Sequence, residues 1–379
     1  MHCSSPITLK NDSLRPPVPC NNCPACVSRK KKELRSRILF EHDYSSTSSS
    51  FVTLTYSQEN LPETNIFPTG NVSRADTTLF LKRFRKNYTH KYGYKKIRYY
   101  LTAEYGSPLN SFRPHYHLIM FDLDPVKVEN ILKTSWTLGH TRTDPFKSAH
   151  ASYVAGYTLK KLKQTDYPKG QKPMFNSYSN GLGLPALKPL LKKIKSLGLF
   201  PSKSISMVDR YLIETSNIQQ QLKLVSKEEN LFHGFLIRHE NSSGFNYQIP
   251  LMGFDDPRLR SLYVNTNTGK PHLGVTSLTL DRYMQKKLFE LAYPELENLL
   301  SLHKKTLNLK YARQIDGVTV DVPPDSVITS SPSYMQWLKT YSMQLHRDFL
   351  DYDCSPEKIH DQKKLAKRQR LIDKKIPTH

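Results

Sequence analysis

The sequence predicts an α+β fold, with a central antiparallel sheet flanked by helices and a mixed C-terminal region behind it. Three observations carry that expectation. Segments rich in β-branched and aromatic residues alternate with segments of helical apolar spacing. Two strand-like segments, 97–104 and 114–122, are joined by Tyr105-Gly106-Ser107-Pro108-Leu109-Asn110, a run of turn formers that implies a hairpin. At 379 residues, the chain exceeds one ordinary core and suits two domains, or one domain with large additions.

The elements follow in order. Pro24 to about Asp43 reads as a helix with proline in its first turn and a basic run, Arg29-Lys30-Lys31-Lys32-Glu33-Leu34-Arg35-Ser36-Arg37. A Ser/Thr-rich joint at 45–50 leads into the strand Phe51-Val52-Thr53-Leu54-Thr55-Tyr56. Asp76 can cap a helix to about Lys91, with Phe80 and Phe84 on its inner face. After the hairpin, Asp124-Pro125 starts a helix through Val128, Ile131 and Leu132 to Trp136. A short strand at 139–143 precedes a helix from about Ser148 to Lys163, whose buried stripe is Ala151, Val154, Ala155, Thr158 and Leu162. The divisions expected are 1–50, a cysteine cluster and basic helix; 51–165, the core; 166–200, a basic linker; and 201–379, a C-terminal region with a basic tail.

Composition narrows the function. A net charge of +23 points to a polyanionic partner, and nucleic acid is the commonest. No stretch approaches the roughly 20 apolar residues of a membrane span, and the first residues carry no apolar signal region. Cys20-Asn21-Asn22-Cys23-Pro24-Ala25-Cys26 places three thiols in seven residues, where neighbours bridge poorly but can share a metal. Cys3 can supply a fourth ligand to one structural Zn²⁺; the alternative is reduced thiols at a helix start. Either way the chain belongs in a reducing cytoplasm.

The chemistry concentrates in two places. On a strand, His115 and His117 in Arg113-Pro114-His115-Tyr116-His117 project from one face, as paired metal ligands do. Glu104 ends the preceding strand and can lie across from them, adding a carboxylate suited to Mg²⁺ or Mn²⁺. Isolated surface or core histidines and a solvated Glu104 are the plainer alternative. On the helix from Ser148, Tyr153, Tyr157 and Lys160 gather on the side opposite the buried stripe, the tyrosines about 6 Å apart along the axis. A free phenol has a pKa of about 10, so a nucleophilic tyrosine needs a cation or a polarised target nearby.

These segments, Phe51 to Tyr56, then Arg113-Pro114-His115-Tyr116-His117, then Tyr153-Val154-Ala155-Gly156-Tyr157 with Lys160-Lys161, resemble the three motifs of HUH rolling-circle endonucleases in order. The resemblance is to the replication initiators of Microviridae, particularly the gokushovirus type, and spans roughly residues 1 to 165. It implies a site-specific single-stranded DNA nickase and ligase working through a 5′-phosphotyrosine. His115, His117 and Glu104 would hold the divalent metal, and Tyr153 and Tyr157 would be the nucleophiles. It also implies the host bacterial cytoplasm as the setting, with host helicase, polymerase and single-strand-binding protein as partners. Where the best-known isometric-phage initiators carry a lysine inside the tyrosine pair, this chain has Gly156, and Lys160 or Lys161 is expected to replace it.

For holding DNA, 81–98 contains eight Lys/Arg and no acid, including Lys82, Arg83, Arg85, Lys86, Lys95, Lys96 and Arg98 among Phe84, Tyr88, Tyr92 and Tyr94. Arg113 and Lys161 join that set. A solvated helix face with core aromatics is the alternative. Two other classes compete with the initiator: an HUH transposase or relaxase, and a non-catalytic basic DNA-binding or packaging protein.

Overall fold

The computed structural model describes residues 3–7, 18–45, 48–66, 69–106, 112–160, 170–201, 211–212, 231–232, 234–241, 244–249, 275–296, 298–302 and 332–340. Helix α1 (Pro24–Ser45) begins at the expected proline and is followed by β1 (Ser49–Thr55), α2 (Arg74–Tyr92), β2 (Arg98–Tyr105), β3 (Pro114–Phe121), α3 (Pro125–Ser135), β4 (Thr141–Pro145), α4 (Ser148–Lys160) and β5 (Asn176–Tyr178). The strands form one sheet in the order β4-β1-β3-β2-β5, and every neighbouring pair is antiparallel. The predicted pairing of β2 with β3 sets Glu104 opposite His115 and Tyr105 opposite Pro114; the turn residues 107–111 lie outside the described residues.

Caps explain where the helices start. Asp124 accepts from the amides of Val126 and Lys127 at the head of α3, as its place before a proline predicted. At α2 the cap is Ser73, not Asp76: the Ser73 side chain accepts from the Asp76 amide at 3.1 Å. Asp76 sits in the first turn, where a carboxylate still favours the positive helix end, and accepts from the Tyr56 hydroxyl at 2.8 Å.

Period-two alternation divides the sheet into two faces. Val52, Leu54, Leu101, Ala103, Tyr116, Leu118 and Met120 face α2 and α3, where Phe80, Phe84, Ile131 and Leu132 close one core. Each such fully buried side chain contributes about 1.5–3 kcal/mol. Phe51, Tyr100, Ile119 and Phe121 face the other way and share a second core with α1 and α4. The functional side chains sit on this second face.

The stretch 166–200, expected as a linker, is instead part of the fold. Residues 176–178 pair with β2, and α5 (Leu187–Ser196) buries Leu187, Leu190 and Ile194 in the second core while Lys188, Lys192 and Lys195 face solvent. Its lysines hid an amphipathic helix inside a charge run. Beyond it, β6 (Phe200–Pro201) and β7 (Leu231–Phe232) pair in parallel, and β8 (Phe235–Asn241), β9 (Gly244–Gln248) and β10 (Val275–Thr279) form an antiparallel sheet in the order β10-β8-β9, followed by α6 (Arg282–Ala292). Leu236, Leu278, Met284 and Leu288 from these elements complete the second core. Arg238, fully buried, donates to both oxygens of Asp43 at the end of α1, at 2.6 and 2.9 Å, and to Ser148 at the start of α4 at 3.1 Å. Among the described residues no helix is long and apolar enough to cross a membrane.

Candidate functional site

Glu104, His115 and His117 converge as the hairpin predicts. The Glu104 Oε1 atom lies 2.6 Å from His115 Nε2 and 2.8 Å from His117 Nε2. The outer ring nitrogens are held as well: His115 Nδ1 is 3.1 Å from the Arg113 carbonyl, and His117 Nδ1 is 3.0 Å from Thr53 Oγ1. A carbonyl only accepts, so His115 carries a proton on Nδ1. Its Nε2 then faces a carboxylate oxygen either as imidazolium or as a lone pair that needs a cation between them. Glu104 is 2% exposed, and its second oxygen has no hydrogen-bond partner among the described residues. Burial opposes ionisation of Glu104, but the hydrogen bonds and charge of the two histidines outweigh it and hold the carboxyl at about 2. Two ring nitrogens, an ionised carboxylate and an orphaned buried oxygen fit a divalent cation.

Helix α4 brings the tyrosine. Ala151, Val154 and Ala155 are fully buried, as the predicted stripe requires. Tyr153 does not point away from the sheet: it lies at the edge of the stripe, 45% exposed, with its hydroxyl 3.3 Å from His117 Nε2. Phe51 stacks on His117 with centroids 5.4 Å apart and on His150 at 4.1 Å, so one aromatic tier supports the metal ligand and the tyrosine helix together. The backbone of α4 continues through positions 157 and 160, one turn and nearly two turns beyond Tyr153; the side chains of Tyr157 and Lys160, and Lys161 as a whole, lie outside the described residues. At Gly156 a side chain would meet the Lys31 amine from α1, 3.5 Å from the Cβ position. Thr53, Phe51, His150 and Lys31 were not singled out in the sequence. Period two along Phe51-Val52-Thr53 places the first two of these on one face of β1, but nothing local links Lys31 to residue 156.

The basic residues separate into different surroundings. Lys82, Arg83, Arg85 and Lys86 are exposed on α2, across the sheet from the histidines, with Phe84 and Tyr88 buried beneath them. Arg98 is not presented to a ligand; it is a structural cation, bonded through Nε and Nη2 to buried Glu41 and to the carbonyls of Asn180 and Gly181. Arg113 donates to the Tyr56 carbonyl beside the site, and Lys95 pairs with Asp122 at 2.8 Å. Arg85, Lys95 and Lys96 also line an open cavity of about 460 Å³ with Tyr94, Tyr99 and Tyr178, at the end of β2 remote from Glu104.

The cysteines form a second cluster. Cys3, Cys20, Cys23 and Cys26 bring their four sulfurs within 4.8 Å of one another, with Cys3 to Cys20 at 3.4 Å and Cys23 to Cys3 at 3.9 Å. Backbone amides point at the sulfurs: Cys20 N to Cys3, Cys23 N to Cys20 and Cys26 N to Cys23, at 3.3, 3.3 and 3.5 Å. Burial works against a Cys23 thiolate, but amide and Ser4 hydrogen bonds bring its pKa down to about 5. Burial and the neighbouring Cys23 push Cys26 up to about 12. One thiolate is stabilised by the fold; four in contact need a cation.

Comparison with known proteins agrees with these motifs. Residues 49–162 match the family described as replication-associated protein ORF2. The chain is 31% identical to replication-associated protein ORF2 of Spiroplasma virus 4 over 190 residues, 46% of this chain and 58% of that protein. It is 28% identical to replication-associated protein ORF4 of Chlamydia phage 1, over 38% of this chain and 39% of that one. It is 26% identical to replication-associated protein VP4 of Bdellovibrio phage phiMH2K, over 51% and 65%. The matches thus span less than two thirds of each relative. No solved structure matches the chain. Through residues 49–162 and the motifs they carry, the chain is similar to the replication-associated proteins of Microviridae-type phages.

Proposed function

We propose that the chain is a rolling-circle replication initiator: a metal-dependent, site-specific endonuclease and ligase that nicks single-stranded DNA at the viral origin. The observation that carries this function is the Tyr153 hydroxyl at 3.3 Å from His117, one of three ligands gathered on a single carboxylate. A divalent cation, Mg²⁺ or Mn²⁺, held by His115, His117 and Glu104 would supply positive charge to a phosphodiester oxygen. The chain's own groups do the rest. Thr53 and the Arg113 carbonyl fix the two imidazoles, and Phe51 holds the His117 ring. The Tyr153 oxygen bonds to phosphorus, the bond from phosphorus to the 3′ oxygen breaks, and the proton lost by the phenol is balanced by the one the 3′ oxygen gains. The product is a 5′-phosphotyrosine and a free 3′-OH that primes synthesis. Because the ester retains the bond energy, rejoining needs no ATP.

Tyr157, one turn along α4, is the second nucleophile, and Lys160 or Lys161 faces the phosphate. Lys82, Arg83, Arg85, Lys86, Lys95, Lys96 and Arg113 contact DNA backbone; Arg98 is withdrawn from that set by its bonds to Glu41. A zinc ion on the four cysteines is the second cofactor. The partners are origin DNA and the host helicase, polymerase and single-strand-binding protein. The test is a labelled single-stranded origin oligonucleotide incubated with protein and Mg²⁺ or Mn²⁺. An SDS-stable adduct whose label survives on tyrosine supports a nickase; tight binding with no adduct in either cation leaves the basic DNA-binding protein.

A further inference from the structure

Helix α1 starts in the cysteine cluster and ends at the buried Asp43–Arg238 pair, and along its length it packs against α4, the tyrosine helix. Two of the four cysteines, Cys23 and Cys26, lie at its first turn; Cys20 precedes it, and Cys3 comes from the far side of the segment that Ile7 and Val18 close by a two-way backbone bridge. Tetrahedral zinc with sulfur at about 2.3 Å separates its sulfurs by about 3.8 Å, near the spacing of this cluster. The amide-to-sulfur hydrogen bonds neutralise thiolate charge as the carbonyl and carboxylate partners do at histidine ligands. Lys31 lies five residues past Cys26, about 7.5 Å along the axis, and its amine fills the place a side chain at Gly156 would take. Tyr153 is one turn from Gly156, on the same helix, and attack by a phenol on a phosphodiester develops negative charge there.

We propose that Cys3, Cys20, Cys23 and Cys26 bind one zinc ion as thiolates, and that this centre fixes α1 so that Lys31 serves as the cation facing the tyrosine helix at Gly156. The zinc centre is separate from the catalytic cation; the role of Lys31 rests on the nickase function proposed above. Lys31 stands on a different helix from the tyrosines, so its position depends on the register of α1 against α4. Zinc at the head of α1 and Arg238 at its tail set that register.

The experiment uses the full chain in three arms. Elemental analysis after purification without chelator should give one zinc per chain that resists EDTA, and Co²⁺ exchange should give thiolate-to-metal charge-transfer absorption. Cys3→Ser should lose the metal readily, whereas Cys3→His, which keeps a ligand, should retain it. Zinc near zero in folded protein, with all four thiols open to a thiol reagent, overturns the centre. In the third arm Lys31→Ala should slow adduct formation at least tenfold with zinc still bound, and adding Gly156→Lys should restore much of the rate by carrying the amine on the tyrosine helix itself. Lys31→Ala at the wild-type rate, or a deficit that Gly156→Lys leaves unchanged, overturns the assignment of Lys31. A wild-type protein that holds zinc but forms no adduct overturns the nickase function and leaves the zinc centre standing.

Discussion

Thr53→Val is the sharpest test of the triad, because it changes no ligand. Thr53 Oγ1 lies 3.0 Å from His117 Nδ1, and His117 is 6% exposed. Valine fills the same space on a β-strand but leaves that nitrogen without its partner, a loss of about 1–3 kcal/mol at a buried site. The loss falls on the ring geometry and tautomer that present Nε2 to a cation, so the affinity for Mn²⁺ should fall about 10–100-fold. Electron paramagnetic resonance titration of free Mn²⁺ reads that affinity without DNA. In the adduct assay the Mn²⁺ dependence should move to higher concentration by the same factor, with saturating activity largely kept. Thr55→Val is the control: Thr55 stands opposite His115 on the same face but bonds the exposed His140 carbonyl. Unchanged Mn²⁺ affinity in Thr53→Val, or an equal loss in Thr55→Val, would refute the assignment of Thr53 as the support of a metal ligand.

Other outcomes follow from the same geometry. His115→Ala and His117→Ala should each abolish adduct formation while single-strand binding, read by fluorescence anisotropy, persists; cleavage by the double variant in EDTA would remove the metal from the reaction. Tyr153→Phe and Tyr157→Phe should each retain some adduct, the double variant none, and neither single variant should release unit-length circles repeatedly; circle release at the wild-type rate would point to one nucleophile. Arg238→Ala should cost about 3–5 kcal/mol in urea unfolding, because it leaves Asp43, 1% exposed, as an unpaired buried charge. A loss under about 1 kcal/mol would mean that water reaches the pair.

The sheet and its helices were legible because local signals agreed with the global fold. The period-two run from His115 to Phe121, the turn formers after Tyr105 and the Asp124-Pro125 start each name an element by itself. The triad was legible because two of its members are two apart on a strand and the third is one hairpin away. The aim of Tyr153 was read half correctly. Helical spacing excludes it from the buried stripe, but only the position of α4 over the sheet decides that the ring turns toward His117 and not toward open solvent. Arg98 was misread for a similar reason. Charge composition marks it as a cation, while the buried Glu41 that claims it lies 57 residues away. The helix at 187–196 was lost because its apolar stripe is interrupted by lysines that only packing against the second core distinguishes from a solvated run.

That second core gives the C-terminal elements a physical task. The face of the sheet that carries the triad cannot be closed by α1 and α4 alone, since Phe51, Tyr100, Ile119 and Phe121 share their cluster with residues of β8, β9, β10, α5 and α6. The polar contacts act at the same places. Arg37 of α1 pairs with Asp281, the cap of α6, and Arg238 of β8 joins Asp43 of α1 to Ser148 of α4. Ser148 also donates to Glu240 at 2.6 Å, so the first residue of the tyrosine helix is bonded to two side chains of β8. A helix that must offer a hydroxyl to a phosphate beside a metal ligand needs its start fixed, because a tilt of a few degrees at Ser148 moves Tyr153 relative to His117. The C-terminal sheet therefore belongs to the geometry of the site even though it contributes no ligand to it, and changes to Arg238 should lower the rate of adduct formation along with stability.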